Sequence, residues 1–177
     1  SGYDPDTPAP LIVLLHGWAL HGGMWGPWIE DVSRRARLHF IDLPGHGRSA
    51  WPAGASTLRD LARAVSPHVP PGAVVLGWSL GGMVALEIAR TRPGDLAALV
   101  LVATTPCFLA REDWTAGMNP GVLEGFAAGL AGDYRRTLAN FLALQTWGDE
   151  NATQALRSLR VNLDSHGEPD PHALAAG

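Results

Sequence analysis

Four short apolar runs punctuate the first part of the chain: LIVLL at 11–15, LHFI at 38–41, AVVL at 73–76 and ALVLV at 98–102. Each is almost continuously apolar and rich in Val, Ile or Leu, the pattern of strands covered on both faces of a parallel sheet. Between the runs, residues 30–37, 57–69 and 83–92 have helical length and mixed polarity, with Ser56 or Thr57 placed to cap the second. Strand and helix in alternation predict an α/β domain built on a mostly parallel sheet. After Val102 the rhythm changes. From residue 111 to 163 no strand is expected, and apolar positions recur at helical spacing. Val122, Leu123, Phe126 and Leu130 form one stripe; Tyr134, Leu138, Phe141 and Leu142 form another. The expected organisation is a core over 1–107, a helical cap over 108–163, and a turn-rich return toward the core over 164–177. No internal repeat is visible.

Composition narrows the function classes. Of the 177 residues, 46% are hydrophobic and 17% charged, a globular and not a disordered balance. A net charge of −4 argues against a nucleic-acid binder. The single cysteine, Cys107, excludes an internal disulfide framework and fits a reducing compartment. No run approaches the ~18 apolar residues of a membrane span, and SGYDPDTPAP at the start lacks the features of a signal peptide. These features set the expectation of a cytoplasmic protein with no membrane and no nucleic-acid partner.

The chemistry concentrates in LGWSLGG at 76–82. Ser79 lies in a G-x-S-x-G pattern directly after an apolar run and directly before a helical segment. Glycines at this spacing permit the sharp strand-to-helix turn that exposes a nucleophilic hydroxyl, and the helix start adds free N–H groups beside it. Acyl transfer also needs donors for the developing oxyanion. The N–H of Leu80, the residue after the nucleophile, is one. The loop HGW at 16–18 follows the first apolar run and offers the N–H of Trp18 as the second. His16 is expected to hold that loop through side-chain hydrogen bonds, although it could also be read as a base. Cys107 lacks the glycine-flanked turn and reads as a small hydrophobe.

With these residues in view, LIVLLHGW, IDLPGHGRS and LGWSLGGMVALEIA resemble the α/β-hydrolase superfamily. TTPCFLAREDW at 104–114 and FLALQTWG at 141–148 are narrower, and together the motifs resemble the pimeloyl-acyl-carrier-protein methyl ester carboxylesterases of biotin synthesis. The similarity runs from about Leu11 to about Leu163. It implies an α/β-hydrolase fold with helices on both faces of the sheet, a cap inserted after the fourth strand, and further C-terminal strands that this chain does not contain. It implies Ser79 as nucleophile, Trp18 and Leu80 as oxyanion donors lining the acyl site, and Phe141, Leu142, Ala143, Leu144 and Gln145 as cap residues touching the acyl chain. Phe141, Leu142 and Leu144 read equally as cap packing. It implies an acidic acyl carrier protein as partner, met by basic cap residues. Arg136 and Arg157 fall at such positions, Asn140 and Thr153 stand where a family member has Arg, and Arg135 and Arg160 are placed to compensate. By themselves these arginines are also consistent with a solvated helix face. No metal or organic cofactor is implied.

In this superfamily the order is Ser, then Asp or Glu, then His. Of the seven histidines, His16, His21, His39, His46 and His68 precede Ser79. Asp164 with His166 or His172 has the right order, but no strand separates them to bring both to one end of a sheet. The expectation is that the triad Asp and His lie outside this chain, on a further segment or a second fragment. This chain alone would then be nearly inactive. The function expected is methyl-ester hydrolysis on pimeloyl-acyl carrier protein, with side activity on short-chain esters. The alternatives are another α/β-hydrolase (a small-ester lipase or a carbon–carbon bond hydrolase) or an inactive fragment that binds an acyl chain or carrier protein.

Overall fold

The structure, a computed structural model, describes residues 8–145 and 169–176. It divides into two units, Ser1–Thr104 with Pro169–Gly177, and Thr105–Glu168. The first unit carries a parallel four-stranded sheet of β1 (Leu11–Leu15), β2 (Arg37–Ile41), β3 (Val74–Trp78) and β4 (Ala98–Val102), in the order β2-β1-β3-β4. The chain leaves β1 toward β2 and leaves β3 toward β4, on opposite sides. The carboxyl ends of β1 and β3, adjacent through the pair Leu15↔Gly77, therefore flank a topological switch point. That is where open α/β sheets hold their ligands.

Burial explains why β1 and β3 are central. Val13, Leu14 and Leu15 are consecutive and all buried, so both faces of β1 are covered, and Val75 anchors β3. Up to Thr104 the helices of this unit are α1 (Trp28–Ser33), α2 (Leu58–Val65), continued by a 3-10 turn at Ser66–His68, and α3 (Leu80–Thr91). Helix α3 packs on β3, and α2 packs on α3 through Leu61, Ala62 and Val65. Thr57 caps α2 as expected. Its hydroxyl oxygen accepts from Asp60 N–H at 3.3 Å, and the Asp60 carboxylate accepts from Thr57 N–H at 3.1 Å. Arg92 ties the end of α3 to the end of α2 by donating to the Ser66 and Val69 carbonyls, both at 2.9 Å.

Three features differ from the apolar pattern, each for a physical reason. The helix expected over 30–37 stops at Ser33 because Arg37 joins the sheet, opposite Leu11 and bonded to Pro10 O. Helix α3 begins at Leu80, as expected of a helix start beside the nucleophile and ahead of the segment 83–92 that polarity marked, because Gly81 and Gly82 are not turn residues here but the close-packed first turn. Strand β4 is not covered on both faces: Val100, Leu101 and Val102 are 41%, 42% and 43% exposed at the edge of the sheet. Its apolar run specifies a strand that needs neighbours, and no neighbour lies beyond it among the described residues. An exposed apolar parallel edge promotes association. The 177-residue polypeptide is expected to self-associate with rising concentration in size-exclusion chromatography with light scattering. Val100→Lys with Val102→Lys is expected to reduce that association; a wild-type chain that stays monomeric throughout would contradict this.

The second unit contains α4 (Pro120–Gly132) and α5 (Tyr134–Gln145), which pack on each other. Asn119 caps α4, accepting from Gly121 N–H at 2.9 Å. Phe126 and Phe141 meet with ring centroids 5.7 Å apart and Leu138 is buried, so part of each predicted stripe lies inward, whereas Val122 and Leu123 of the first stripe are 57% and 41% exposed. Ahead of them lie only isolated bridges, Leu109↔Met118 and Arg111↔Trp114. The chain then re-enters the first unit, where α6 (Pro171–Ala176) closes the described structure. No described helix is long and apolar enough to cross a membrane.

Candidate active site

Ser79 stands between the last residue of β3 and the first of α3 with φ 53° and ψ −117°. A non-glycine residue held there costs of order 1–3 kcal/mol and persists only where its surroundings fix it. They do so here. Ser79 N–H donates to Val102 O at 2.9 Å, and Ser79 O accepts from Gly82 N–H at 2.9 Å and from the Thr104 hydroxyl at 2.7 Å. The glycines around it are a packing requirement. A Cβ at Gly77 would lie 2.5 Å from Gly81 O, one at Gly81 would overlap the Leu15 and His16 carbonyls, and one at Gly82 would lie 2.5 Å from Thr104 Cγ2. The first turn of α3 is thereby pressed onto the end of β1, with Leu80 buried and Ser79 half-buried.

The loop after β1 borders this turn. A Cβ at Gly17 would lie 3.4 Å from Ser79 Cβ and 3.2 Å from the Trp78 ring, so Gly17 admits the loop alongside the serine. His16 organises the loop as anticipated. Its Nε2 accepts from Leu43 N–H at 2.8 Å, which places the ring proton on Nδ1, and Nδ1–H donates to Gly17 O at 2.8 Å. In a trans peptide the C=O and the following N–H point opposite ways. By holding the Gly17 carbonyl, His16 therefore fixes the direction of the Trp18 amide. Ala19 completes the bend with φ 60°, and Leu20 N–H reaches Gly17 O at 3.3 Å.

His46 and His21 are likewise tied into loops by backbone bonds. His46, fully buried, sits 5.4 Å from the His16 ring and bonds Pro44 O through Nδ1 at 3.0 Å. His21 is buried, and its Nδ1 accepts from Gly23 N–H at 3.0 Å. His39 is in β2, and His68 ends the 3-10 turn. His172 is exposed on α6, while Asp164 and His166 lie outside the described residues. No described histidine hydrogen-bonds the Ser79 hydroxyl. One residue that sequence reasoning passed over is Asp42, whose carboxylate accepts from Gly22 N–H at 2.6 Å and Arg48 N–H at 2.9 Å, joining the loops after β1 and β2. Burial works against its charge, but those two N–H groups and the nearby imidazoles outweigh burial and hold its pKa below the ordinary value. The available signal was an acid at the end of a strand followed by glycines, Gly47 being pressed against Asp42.

Burial, helped by the neighbouring His46, lowers the His16 pKa from 6.5 to about 3, and burial lowers that of His46 as well. Between those values only the unfolded chain takes up the proton. Stability is thus complete above pH 6.5 and falls as pH drops toward 3, by roughly 1.4 kcal/mol per pH unit for one such imidazole. Urea midpoints should decline clearly from pH 7.5 to pH 5; a flat profile would contradict neutral, buried histidines.

Of the remaining predicted site residues, Phe141 packs on Phe126, Ala143 is exposed and Leu144 is 60% exposed. Leu142, Gln145 and Arg135 lie on α5, Arg136 is exposed there, and Arg157 and Arg160 fall outside the described residues. Cys107 is only half-buried, its thiol directed at Leu109 O at 3.2 Å, and it belongs to the second unit.

Residues 10–177 match the family model described as the alpha/beta hydrolase fold. The chain belongs to the α/β-hydrolase family. Relatives of this chain include the pimeloyl-[acyl-carrier protein] methyl ester esterases of Klebsiella pneumoniae (46% identical) and Yersinia pestis (44%), each aligned over 94% of it. The chain spans 64% of the length of these relatives. Among solved structures, an esterase from Exiguobacterium antarcticum superposes with a TM-score of 0.77 at 19% identity, over 94% of this chain and 63% of that one. An esterase from Rhodococcus sp. ECU1013 superposes with a TM-score of 0.72 at 25% identity, over 95% and 64% of the respective chains.

Proposed function

We propose that the protein is a serine carboxylesterase that hydrolyses the methyl ester of a pimeloyl group carried on acyl carrier protein. Ser79 Oγ bonds to the ester carbonyl carbon while its proton passes to a histidine base that is not among the described residues. The N–H groups of Trp18 and Leu80 receive the oxyanion, and collapse of the tetrahedral intermediate expels methanol carrying that proton. Water then attacks the acyl-serine, releasing a free carboxylate on the carried acyl chain and restoring Ser79. In the same reading Phe141, Leu142, Ala143, Leu144 and Gln145 line the acyl path, and Arg135, Arg136, Arg157 and Arg160 meet the acidic carrier. The residues assigned to the chemistry involve no metal or cofactor.

The observation that carries this reading is the strained Ser79 turn, set beside the Gly17–Trp18 loop at the switch point of the sheet. The substrate comes from the relatives at 46% and 44% identity. The test is a rate comparison in the full-length protein between pimeloyl-acyl carrier protein methyl ester, p-nitrophenyl butyrate and a vinylogous carbon–carbon hydrolase substrate. Fastest turnover of the carried methyl ester supports the proposal, with slower butyrate hydrolysis as side activity. Preference for either other substrate refutes the substrate assignment. The rival reading is a protein that binds the carried acyl chain without cleaving it. Binding of the carried ester without turnover would establish that rival.

A further inference from the structure

Helix α6 has only six residues, too few to be stable alone, so its contacts account for its presence. It is bonded to two loops at the site. At its start, Asp170 N–H donates to Gly45 O at 2.7 Å, in the loop after β2, while the Asp170 carboxylate caps the helix by accepting from His172 N–H at 2.8 Å. Ala173, fully buried, presses on Gly45 where no side chain would fit. At its end, Leu174 O accepts the indole N–H of Trp18 at 3.1 Å, a buried bond between residues 156 apart in sequence. Leu174 itself is 9% exposed and Trp18 8%.

We propose that α6 is a positioning element for the oxyanion loop, its Leu174 carbonyl holding Trp18 so that the Trp18 amide stays aimed at the developing oxyanion. This rests on the reading of Trp18 as an oxyanion donor. The amide is then restrained from both sides. His16 fixes the peptide plane through Gly17 O, and Leu174 fixes the side chain that leaves the same residue. Loss of the second restraint loosens the residue whose amide must stay aimed. The loss falls on the transition state, since the ground-state ester carbonyl needs that donor far less.

Trp18→Phe keeps an aromatic ring and deletes the indole donor. In the full-length protein it is expected to lower kcat for ester hydrolysis by roughly 10-fold or more, below the ~10²–10³ cost of deleting an oxyanion donor outright, with KM within about twofold. Ala173→Leu, which lifts α6 from Gly45 without touching Trp18, is expected to give the same split between kcat and KM. Val65→Ala, in the remote α2 core, lowers thermal stability and should leave kcat in place. The proposal is overturned if Trp18→Phe keeps kcat within twofold of wild type, or if Val65→Ala loses as much kcat at an equal loss of Tm. Slow solvent exchange of the Trp18 indole proton, measured by NMR and accelerated in Ala173→Leu, reads the contact independently of activity; fast exchange in the wild type overturns it. Wild-type protein that hydrolyses no ester removes the esterase reading and this one with it. Hydrolysis lost in Ser79→Ala but indifferent to Trp18→Phe removes this one alone.

Discussion

Ser79→Ala in the full-length protein will lower kcat for ester hydrolysis by roughly 10³–10⁶-fold, the range seen when a nucleophile is removed from a serine triad. The fold should be unaffected, because the turn is held by the backbone of Ser79 and not by its hydroxyl. Its N–H is bonded to Val102 and its carbonyl to Gly82 and Thr104. Ser79→Gly separates the two roles further. It is equally inactive, but glycine occupies φ 53° without the penalty a side chain incurs, so it should raise stability by about 1 kcal/mol. The pair is measured by initial rates and by thermal unfolding. An active Ser79→Ala, or a Ser79→Gly less stable than wild type, would contradict the account of the turn.

The second large effect is on folding. Gly81→Ala places a methyl group against the Leu15 and His16 carbonyls, which belong to the central strand and the loop that follows it. Neither neighbour is a flexible side chain, so relief requires moving α3 away from β1. The cost should reach or exceed about 3 kcal/mol, the upper end for overpacking, and it should appear as lost soluble expression or a sharply lowered urea midpoint. Gly125→Ala is the internal comparison. It lies inside α4 with nothing within 4 Å of the added carbon, so it should stabilise by about 0.5–1 kcal/mol through helix propensity alone. Equal and small effects at both sites would mean that the helix is not seated on the strand as described.

Much of this arrangement was legible in the chain because it is local. The apolar runs at 11–15 and 98–102 coincide with β1 and β4, and the glycine spacing around Ser79 announces a turn that the packing then demands. His16 could be assigned to the loop because one of its two partners, Gly17 O, is its sequence neighbour; the other, Leu43 N–H, lies 27 residues away. What escaped depends on distance or on missing neighbours. The exposure of Val100 to Val102 cannot be inferred from an apolar run, which reports what a strand needs and not what covers it. The bridge made by Asp42 joins loops about twenty residues apart, and α6 reaches Trp18 across a separation of 156 residues. A six-residue helix also leaves too little periodicity to recognise.

The most direct test of the central claim is peptide mapping by mass spectrometry after the full-length protein has reacted with a fluorophosphonate. The account predicts a single covalent adduct on the peptide containing Ser79, lost in Ser79→Ala and formed more slowly when the carried pimeloyl methyl ester is present. No adduct, or one that persists in Ser79→Ala, would contradict a serine esterase centred on this turn.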